Sequence, residues 1–510
     1  MRFAKRWYVG ALMVMLAAPA SASAATDYHS FVSAPRLEPP KITVTKRAER
    51  TAPGLIIAAS FDFQSVAQQK PATSQSGPFI FDNAGQPVWF QPGPADRQTF
   101  NTRIQRLGGK PVVTYWQGSL SNRGIPRSGV FHVLGADYRP VPGYVKSITG
   151  VNGWVLSPHE HLITRRGTVL ITAYKAVGGQ DLTAFGGSAN GSVYDNAIQE
   201  YDLRTGRLVY EWNMLGRLPL EDSKTRPVGP DPWDAYHINS IDEDEGGDFL
   251  ISNRNTWAIH KIDRQTNTVQ WTLGGRSTSF APAPNAQFAY QHDARFRKND
   301  QISLFDNECC GFKPDGTTAP PIYMPNSRGL ILRLDHTAKT ATMVREYTSS
   351  GRVSGTQANA QVHPNGNVTI GWGQQPFVSE FDETGNLLFE ARFPGTQISY
   401  RALRQRWSGR PRTRPSVAIR RAGRRTRVYV SWNGATGVAA WRIKAGRSSR
   451  NLSVVSRRVR RTGFETRATL RSRGPLFQVQ ALSGRGRVLG TSSIARAANT
   501  GNRFTQTPDY

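Results

Sequence analysis

Short apolar runs separated by turn-forming residues are the dominant pattern along the chain. The runs are rich in β-branched and aromatic residues, and clusters of Gly, Asn, Asp and Pro interrupt them. Apolar residues at the spacing of an amphipathic helix are scarce. Because β-branched and aromatic side chains pack well on a pleated surface and turn residues end strands, the pattern predicts an all-β protein.

A unit of two strands joined by a turn that begins with Asp recurs along the first 400 residues. Clear copies begin at Ile80, Tyr201, Ile262 and Phe381, and degenerate copies begin at Val133 and Leu334. A turn with Gly or Asn and a further strand precede each copy. Four strands per unit, repeated six times, predict a six-bladed β-propeller over residues 51–400. A pair of β-sandwiches is the alternative that the same strands allow.

The composition changes after residue 400. Residues 401–415 are rich in Arg and Pro, which predicts a basic linker. Alternating apolar positions return over 416–498, with an early Trp and a late F-x-V-x-A-L strand, and predict a small β-sandwich. Residues 499–510 are predicted to be a disordered tail. The predicted fold class is therefore all-β, a six-bladed β-propeller followed by a small fibronectin type III-like β-sandwich.

The N-terminus predicts export from the cytoplasm. A basic start, an apolar stretch over 7–18 and small residues with A-x-A sites identify residues 1–25 as a signal peptide. The stretch is too short to span a bilayer, and an uncleaved anchor is the alternative. The mature chain would begin with an N-terminal extension at 26–50, and we expect it to be secreted or associated with the cell envelope.

Charge divides the chain at the point where the composition changes. The sequence has 65 Lys and Arg against 36 Asp and Glu, a net charge of +29. Residues 401–510 contain 26 of these bases and only two acids, so the first 400 residues carry only +5. A basic module of this kind favours an anionic partner. We expect an anionic cell-wall polymer or a membrane surface rather than nucleic acid, because no motif interleaves aromatic residues with the Arg clusters.

The two cysteines of the chain, Cys309 and Cys310, are adjacent. In an oxidising compartment they either close a vicinal disulfide or remain free thiols. Two cysteines are too few for a metal cluster held by cysteine ligands alone.

Three of the nine histidines occupy a shared position in the repeat. His159, His237 and His292 precede the turn of the next strand by eight, ten and eight residues. Equivalent positions of successive blades surround one axis, so we expect the three imidazoles to converge, together with Arg254 from the unit of His237. No carboxylate occupies an equivalent position, so the group suits a small oxyanion, which a guanidinium binds well, better than calcium. A zinc ion held by three histidines is a second interpretation.

A neighbouring histidine, His161, lies two residues after His159 and therefore shares a strand face with it. We expect it either to support His159 or to contact the same ligand. The remaining histidines are interpreted as structural or surface residues.

Several segments around these residues resemble the secreted arylsulfotransferase family. The resemblance covers roughly residues 50–400. The segments that carry it are SPHE at 157–160, WDAYHINSI at 233–241, ISNRN at 251–255, YQHDAR at 290–295, LFDN at 304–307 and GWG at 371–373. The D-x-x-H-x-N-S and Q-H-D-A-R segments are more specific together than either is alone.

The resemblance implies a six-bladed propeller that moves a sulfuryl group from an aryl sulfate donor to a phenolic acceptor, with ping-pong kinetics. It implies no nucleotide cofactor, and the chain has no G-x-x-x-x-G-K-[ST] loop to hold phosphates. By the same resemblance, His292 matches the histidine that becomes transiently sulfurylated. His237, Arg254 and His159 match the groups that hold the sulfuryl oxygens and assist the leaving group.

Two other functions are compatible with the residues. A non-catalytic secreted propeller would bind anionic wall polymer through its basic sandwich, with incidental histidines. A quinoprotein-like oxidoreductase would use the adjacent cysteines, although such proteins have eight blades and a calcium site of carboxylate and amide ligands that the sequence does not reveal.

Overall fold

The computed structural model describes residues 27–69, 74–309, 322–472, 474–497 and 505–506. Its regular structure is almost entirely strand, which confirms the all-β class. The helices of the described residues are the α-helix Phe63–Ala67 and the 3-10 helices Thr183–Phe185, Leu220–Asp222, Arg254–Thr256 and Pro284–Ala286. No helix in this part of the chain is long and apolar enough to cross a membrane. The predicted signal peptide, 1–25, lies outside the described residues.

Six sheets follow one another along the described part of residues 43–405, each built around four antiparallel strands. Sheet 1 contains Leu55–Asp62, Gly77–Phe81, Pro87–Phe90, Gln397–Ile398 and Ala402–Gln405. Sheet 2 contains Gln98–Leu107, Lys110–Leu120, Pro126–Leu134 and Ser147–Thr149. Sheet 3 contains Val155–Ile163, Thr168–Gln180, Gly191–Asp202 and Leu208–Asn213.

The other three sheets repeat this plan. Sheet 4 contains Ile238–Glu243, Phe249–Asn253, Ala258–Ile262 and Val269–Gly274. Sheet 5 contains Ala281–Pro282, His292–Arg297, Gln301–Asp306, Arg328–Asp335 and Thr340–Thr348. Sheet 6 contains Thr43–Lys46, Asn359–Val362, Val368–Gly371, Phe377–Phe381 and Leu387–Arg392.

The aspartate of the repeated turn holds that turn closed. One carboxylate oxygen of Asp202 accepts the backbone N–H groups of Arg204 and Thr205, each at 2.8 Å. Asp263 and Asp382 accept equivalent turn N–H groups in sheets 4 and 6. An aspartate that satisfies these amides fixes a tight connection between two strands, which explains why the motif marked the strand pairs.

Successive sheets pack face to face, and the series closes on itself. In sheet 3, Val169 and Ile171 pack towards sheet 2, whereas the intervening Leu170 packs towards sheet 4. Equivalent apolar clusters join sheet 4 to 5, 5 to 6, 6 to 1 and 1 to 2. The six inner strands also contact one another in turn, and the last of them, Ala402–Gln405, contacts Gln98–Leu107 of sheet 2. The alternation of side chains along each strand thus gives every sheet two buried faces.

The predicted basic linker at 401–415 requires a correction, because its first residues form the inner strand of sheet 1. Ala402–Gln405 pairs with the strand Leu55–Asp62, in the register Leu55 to Gln405. Arg404 is buried there, hydrogen-bonded to Glu380 and to Asn83. The arginines suggested a solvated segment, whereas buried carboxylate and amide partners allow one of them to lie inside the fold.

The predicted N-terminal extension, 26–50, also contributes to the fold. Its strand Thr43–Lys46 pairs with Leu387–Arg392 as the outer strand of sheet 6. The chain therefore adds strands from both ends to the six sheets.

Residues 416–497 form two further sheets with their own core. One contains Ser416–Ala422, Arg425–Ser431, Glu465–Leu470 and Thr505–Gln506, and the other contains Ala440–Ser448, Asn451–Arg460, Leu476–Leu482, Val488–Thr491 and Ala495–Arg496. Trp441, Val479 and Val428 lie in the core between them. The pair Thr505–Gln506 falls inside the tail 499–510 that the sequence predicted to be disordered, and it pairs with Ser416–Ala422.

Polar contacts attach this C-terminal domain to residues of sheets 1 and 2, and an aromatic contact attaches it to the N-terminal segment. The side chain of Asn433 exchanges two hydrogen bonds with the backbone of Phe90, at 3.1 and 2.8 Å. The hydroxyl of Tyr138 donates to the carbonyl of Gly434 at 2.9 Å. The apolar ring of Phe464 packs against Phe31, with ring centroids 4.3 Å apart.

Candidate active site

The three predicted histidines lie at the inner strands of sheets 3, 4 and 5. His159 is inside Val155–Ile163, His237 directly precedes Ile238–Glu243, and His292 begins His292–Arg297. The rings of His159 and His237 have centroids 4.8 Å apart. Tyr400 bridges to the third histidine, because its ring centroid lies 5.6 Å from that of His159 and 6.3 Å from that of His292. The structure therefore brings the three imidazoles to one place.

The environment of His292 fixes its tautomer. Its Nδ1 lies 3.0 Å from the carbonyl oxygen of Tyr290 and 2.7 Å from Oδ1 of Asn307. The amide of Asn307 is oriented by its own Nδ2, which donates to the carbonyls of Ser354 and Gln357. Both neighbours of Nδ1 are acceptors, so Nδ1 carries the proton and Nε2 carries the lone pair.

His292 is also kept neutral. It is 2% exposed, and burial together with the charge of Arg254 lowers its pKa well below the ordinary value. Its Nε2 accepts the backbone N–H of Gln357 at 3.2 Å. A buried imidazole with a free base form at neutral pH has the properties of a nucleophile.

His237 is paired with a carboxylate that the sequence reasoning did not single out. Its Nδ1 lies 2.5 Å from Oδ2 of Asp234. The backbone of His237 is in a left-handed conformation, with φ 56°. The carboxylate holds the imidazole through Nδ1 and so fixes the orientation of the ring.

His159 is enclosed more tightly. Its Nδ1 lies 2.5 Å from the hydroxyl oxygen of Ser157, and its ring stacks on Tyr174 at 6.0 Å. Burial, followed by the charges of His237 and His292, lowers the pKa of His159 well below its ordinary value. In all three histidines Nδ1 is engaged by the protein, and in His292 the Nε2 also accepts the backbone N–H of Gln357.

Arg254 approaches the histidines from the turn Arg254–Thr256. Its backbone N–H donates to the carbonyl of His237 at 2.9 Å, which ties the two residues together. Its guanidinium donates to Asn255 and to the carbonyl of Gly355, and it lies 4.7 Å from the ring centroid of Tyr290. The result is a fixed cation beside the imidazoles.

Backbone strain is concentrated around these side chains. His237, Trp257, Tyr290 and Asp293 all have φ between 54° and 60°. Non-glycine residues adopt this left-handed conformation only where the surrounding fold compensates the cost, and such residues cluster at functional sites.

A buried ionic cluster lies beside the histidines, and two of its carboxylates directly follow a histidine in the sequence. Glu160, next to His159, contacts Arg103, Arg295 and Arg401 at 2.9, 2.5 and 3.1 Å. Asp293, next to His292, contacts Arg295 at 2.6 Å and Arg401 at 3.3 Å. The periodicity of the strands could not reveal these partners, because two of the arginines, Arg103 and Arg401, do not come from the sheets of the carboxylates that they contact.

Burial alone would raise the pKa of Glu160, but the charges of Arg103, Arg295 and Arg401 outweigh it and hold that pKa well below its usual range. The carboxylates of the cluster are therefore occupied by guanidinium groups and do not act as further ligands beside the histidines.

Other predicted residues do not join the site. His161 is buried against Phe131, with ring centroids 5.0 Å apart, and its backbone N–H donates to Glu160. Cys309 takes part in a disulfide bond, and Cys310 lies outside the described residues. Within the described part of the chain, no group of three or more His, Cys, Asp or Glu side chains is arranged to hold a metal ion.

The sequence reasoning missed the residues that orient the histidines. Asp234 and Asn307 stood in the segments WDAYHINSI and LFDN, so their motifs were visible but their contacts were not. Tyr174 and Tyr400 are buried aromatic walls of the site, and the sequence reasoning assigned no role to either of them.

The structure is thus an all-β fold that holds three buried histidines at its inner strands, with Arg254 beside them. The sequence matches the arylsulfotransferase (ASST) family over residues 103–394, more than half of the chain. The protein therefore belongs to the arylsulfotransferase family. No curated protein is significantly similar in sequence.

Solved structures share low sequence identity with the chain. A protein of unknown function from Bacteroides caccae is 12% identical, with a TM-score of 0.39 over 69% of this chain and 98% of that one. The periplasmic gluconolactonase PpgL of Pseudomonas aeruginosa is 10% identical, with a TM-score of 0.37 over 89% and 99%. Catalytically inactive virginiamycin B lyase of Staphylococcus aureus is 12% identical, with a TM-score of 0.28 over 70% and 84%.

Proposed function

We propose that this family member transfers a sulfuryl group from an aryl sulfate to a phenol through a sulfohistidine at His292, without a nucleotide cofactor. The observation that carries the proposal is the hydrogen bonding of His292, whose Nδ1 faces two acceptors, so that the lone pair lies on Nε2. The backbone N–H of Gln357 contacts that lone pair at 3.2 Å, and the sulfur of the donor would take its place. A neutral nucleophile attacks a sulfate ester without adding negative charge to it.

In the first half-reaction, Nε2 of His292 attacks sulfur and the bond between sulfur and the aryl oxygen breaks. The departing oxygen takes a proton from Nε2 of His237, whose Nδ1 lies 2.5 Å from Oδ2 of Asp234. In the second half-reaction, a phenol returns a proton to His237 as its oxygen attacks sulfur, and the N–S bond breaks. Both half-reactions balance, and the cycle restores His292, which predicts ping-pong kinetics.

Arg254 and His159 complete the site by binding the sulfuryl oxygens. Arg254 is fixed through the carbonyl of His237 and the ring of Tyr290, so it offers preorganised donors to charge that redistributes during transfer. Removing one such donor commonly reduces turnover about 10²–10³-fold. Tyr174 and Tyr400 provide aromatic faces near the histidine rings for the aryl groups.

We infer that the six sheets are the blades of a six-bladed β-propeller, with the histidines near its axis. The closed series of apolar clusters and the contacts between successive inner strands support this assignment. We also propose that residues 416–497 are a fibronectin type III-like sandwich. The apolar start of the sequence supports export, and the basic C-terminal domain supports attachment to an anionic wall polymer or membrane surface.

The decisive experiment is a transfer assay with 4-nitrophenyl sulfate as donor and phenol as acceptor. The His292→Asn variant should lose at least about 10³-fold in turnover, since the nucleophile itself is removed. His336→Asn is the matched control, because His336 is exposed and lies outside the site. Trapping of a sulfurylated His292 with donor alone would support the proposal, and substantial transfer by His292→Asn would contradict it.

A further inference from the structure

A cavity of about 390 Å³ lies at the opposite ends of the inner strands from the histidines. The histidine site lies at the start of strands such as His292–Arg297, whereas the cavity is lined by residues near their ends, including Arg297, Gln105 and Gln405. None of His159, His237 and His292 lines it.

The buried ionic cluster separates the two places. Arg103, Arg295 and Asp293 line the cavity on one side and contact Glu160 or Arg401 on the other. Glu160 and Arg401 have fully buried side chains. A ligand in this cavity would therefore not touch the groups that we assign to transfer.

Positive charge predominates around the cavity. Its lining includes Arg103, Arg106, Arg165, Arg295 and Arg297, against two aspartates. Arg106 and Arg165 are exposed at the rim, so the cavity is reached from solvent.

Both aspartates are already engaged. Asp293 is paired with Arg295 and Arg401, and Oδ2 of Asp242 accepts the backbone N–H of Phe296 at 2.9 Å. Neither aspartate forms an ion pair with Arg297 within 4.0 Å, although the negative charges of both stabilise its guanidinium.

Arg297 is the exceptional residue of this lining. Its Nε donates to the hydroxyl of Ser303 at 2.9 Å, and its partial burial lowers its pKa against the opposing charges of Asp242 and Asp293. Taking a guanidinium partly out of water is costly unless an anion contacts it directly. An external anion in the cavity would supply a direct contact to Arg297.

Apolar side chains form the rest of the wall. Ile104, Leu162 and Ile163 are each partly exposed, and they line the cavity beside the arginines. A cavity of this size with aliphatic walls and a few charged groups is typical of a small-molecule site. We propose that it binds a small organic anion, with a sulfate-, sulfonate-, carboxylate- or phosphate-type group held by Arg297 and an apolar body against the aliphatic wall.

Isothermal titration calorimetry with naphthalene-2-sulfonate tests this proposal, because its C–S bond is not a substrate for transfer. The wild-type protein should show a binding event that weakens about tenfold or more in Arg297→Gln, the loss expected for a charge-assisted hydrogen bond. The same event should persist in His292→Asn. Unchanged binding by a folded Arg297→Gln protein, or loss of the event in His292→Asn instead, would overturn it.

A rim variant keeps the test informative if Arg297→Gln fails to fold. Arg165 is exposed and forms no described ion pair, so Arg165→Gln should fold normally and weaken binding about two- to threefold at low salt. Arg333→Gln removes an exposed charge away from the cavity and should leave binding unchanged. Equal effects of the two substitutions, or inorganic sulfate binding as tightly as naphthalene-2-sulfonate, would contradict the proposed site. The measurement involves no transfer reaction, so its outcome is independent of the proposed function.

Discussion

Arginine plays different roles in the six sheets and in the C-terminal domain. Within the six sheets, Arg103, Arg295 and Arg401 are buried and hold Glu160 and Asp293 at distances between 2.5 and 3.3 Å. On the C-terminal strand Asn451–Arg460, the arginines 457, 458 and 460 are exposed, and none forms an ion pair with a described residue. Buried arginines fix the geometry of the body, whereas exposed ones give the C-terminal domain its electric field. The net charge of +29 counts buried and exposed arginines alike, so by itself it does not indicate the role of either group.

The largest effect should follow from removing the central carboxylate of the body. In Glu160→Gln, Arg295 and Arg401 would keep only Asp293 as a carboxylate partner, and Arg103 would lose the carboxylate that it contacts at 2.9 Å. Breaking a buried ion pair from one side commonly costs about 3–5 kcal/mol of unfolding free energy. Urea denaturation at pH 7 measures this loss.

The pH dependence of stability gives a second readout of the same cluster. Because the folded-state pKa of Glu160 is depressed, its contribution is complete above the unfolded value of about 4.3 and is lost as pH falls. Wild-type stability should thus fall more steeply than that of Glu160→Gln between about pH 5 and pH 3. The control is Glu383→Gln, an exposed carboxylate 3.6 Å from Arg345, which should change stability by less than about 0.5 kcal/mol. Equal losses in the two variants would refute a structural role for the cluster.

Fixed neighbours also set the charge state of the histidine site, and Asn307 is the neighbour to change. In Asn307→Asp, a carboxylate would accept the Nδ1–H of His292, now 2.7 Å from the amide oxygen, and would favour the imidazolium form. The pKa of His292 should rise towards its ordinary value, so the acidic limb of the transfer rate should move to higher pH. The pH profile of kcat/KM for 4-nitrophenyl sulfate measures the shift.

The matched control for this substitution is Asn365→Asp, in an exposed turn of sheet 6. It introduces the same charge outside the site and should leave the pH profile unchanged. Superimposable profiles for wild type and Asn307→Asp would mean that the protonation of His292 does not govern transfer.

The contrast between the two regions also explains which features the sequence could predict. Period-two alternation and Asp turns are local, so the strands and the shared register of His159, His237 and His292 were predictable. Partners distant in sequence were not, since Glu160 meets Arg401 across 241 positions of the chain. For the same reason residues 401–415 were predicted to be a solvated linker. The presence of an arginine in a sequence does not show whether the fold provides a buried carboxylate partner for it.

The smallest effect on stability, and the most direct test of the contrast, concerns the exposed arginines of the C-terminal domain. Replacing Arg457, Arg458 and Arg460 together by Gln should change the unfolding free energy by no more than about 0.5 kcal/mol per residue, because no buried partner is lost. The variant should nevertheless elute from immobilised heparin, an anionic polysaccharide, at lower salt than wild type.

The control removes the same three charges from the body, as Arg139, Arg207 and Arg333 to Gln, all of them exposed. If total charge governed attachment, the two triple variants would elute at the same salt concentration. If placement governs it, as the edge strand Asn451–Arg460 with its clustered guanidinium groups indicates, only the C-terminal variant should elute earlier. Transfer activity should be equal in both, because the charges that hold the histidine site are the buried ones and neither variant alters them.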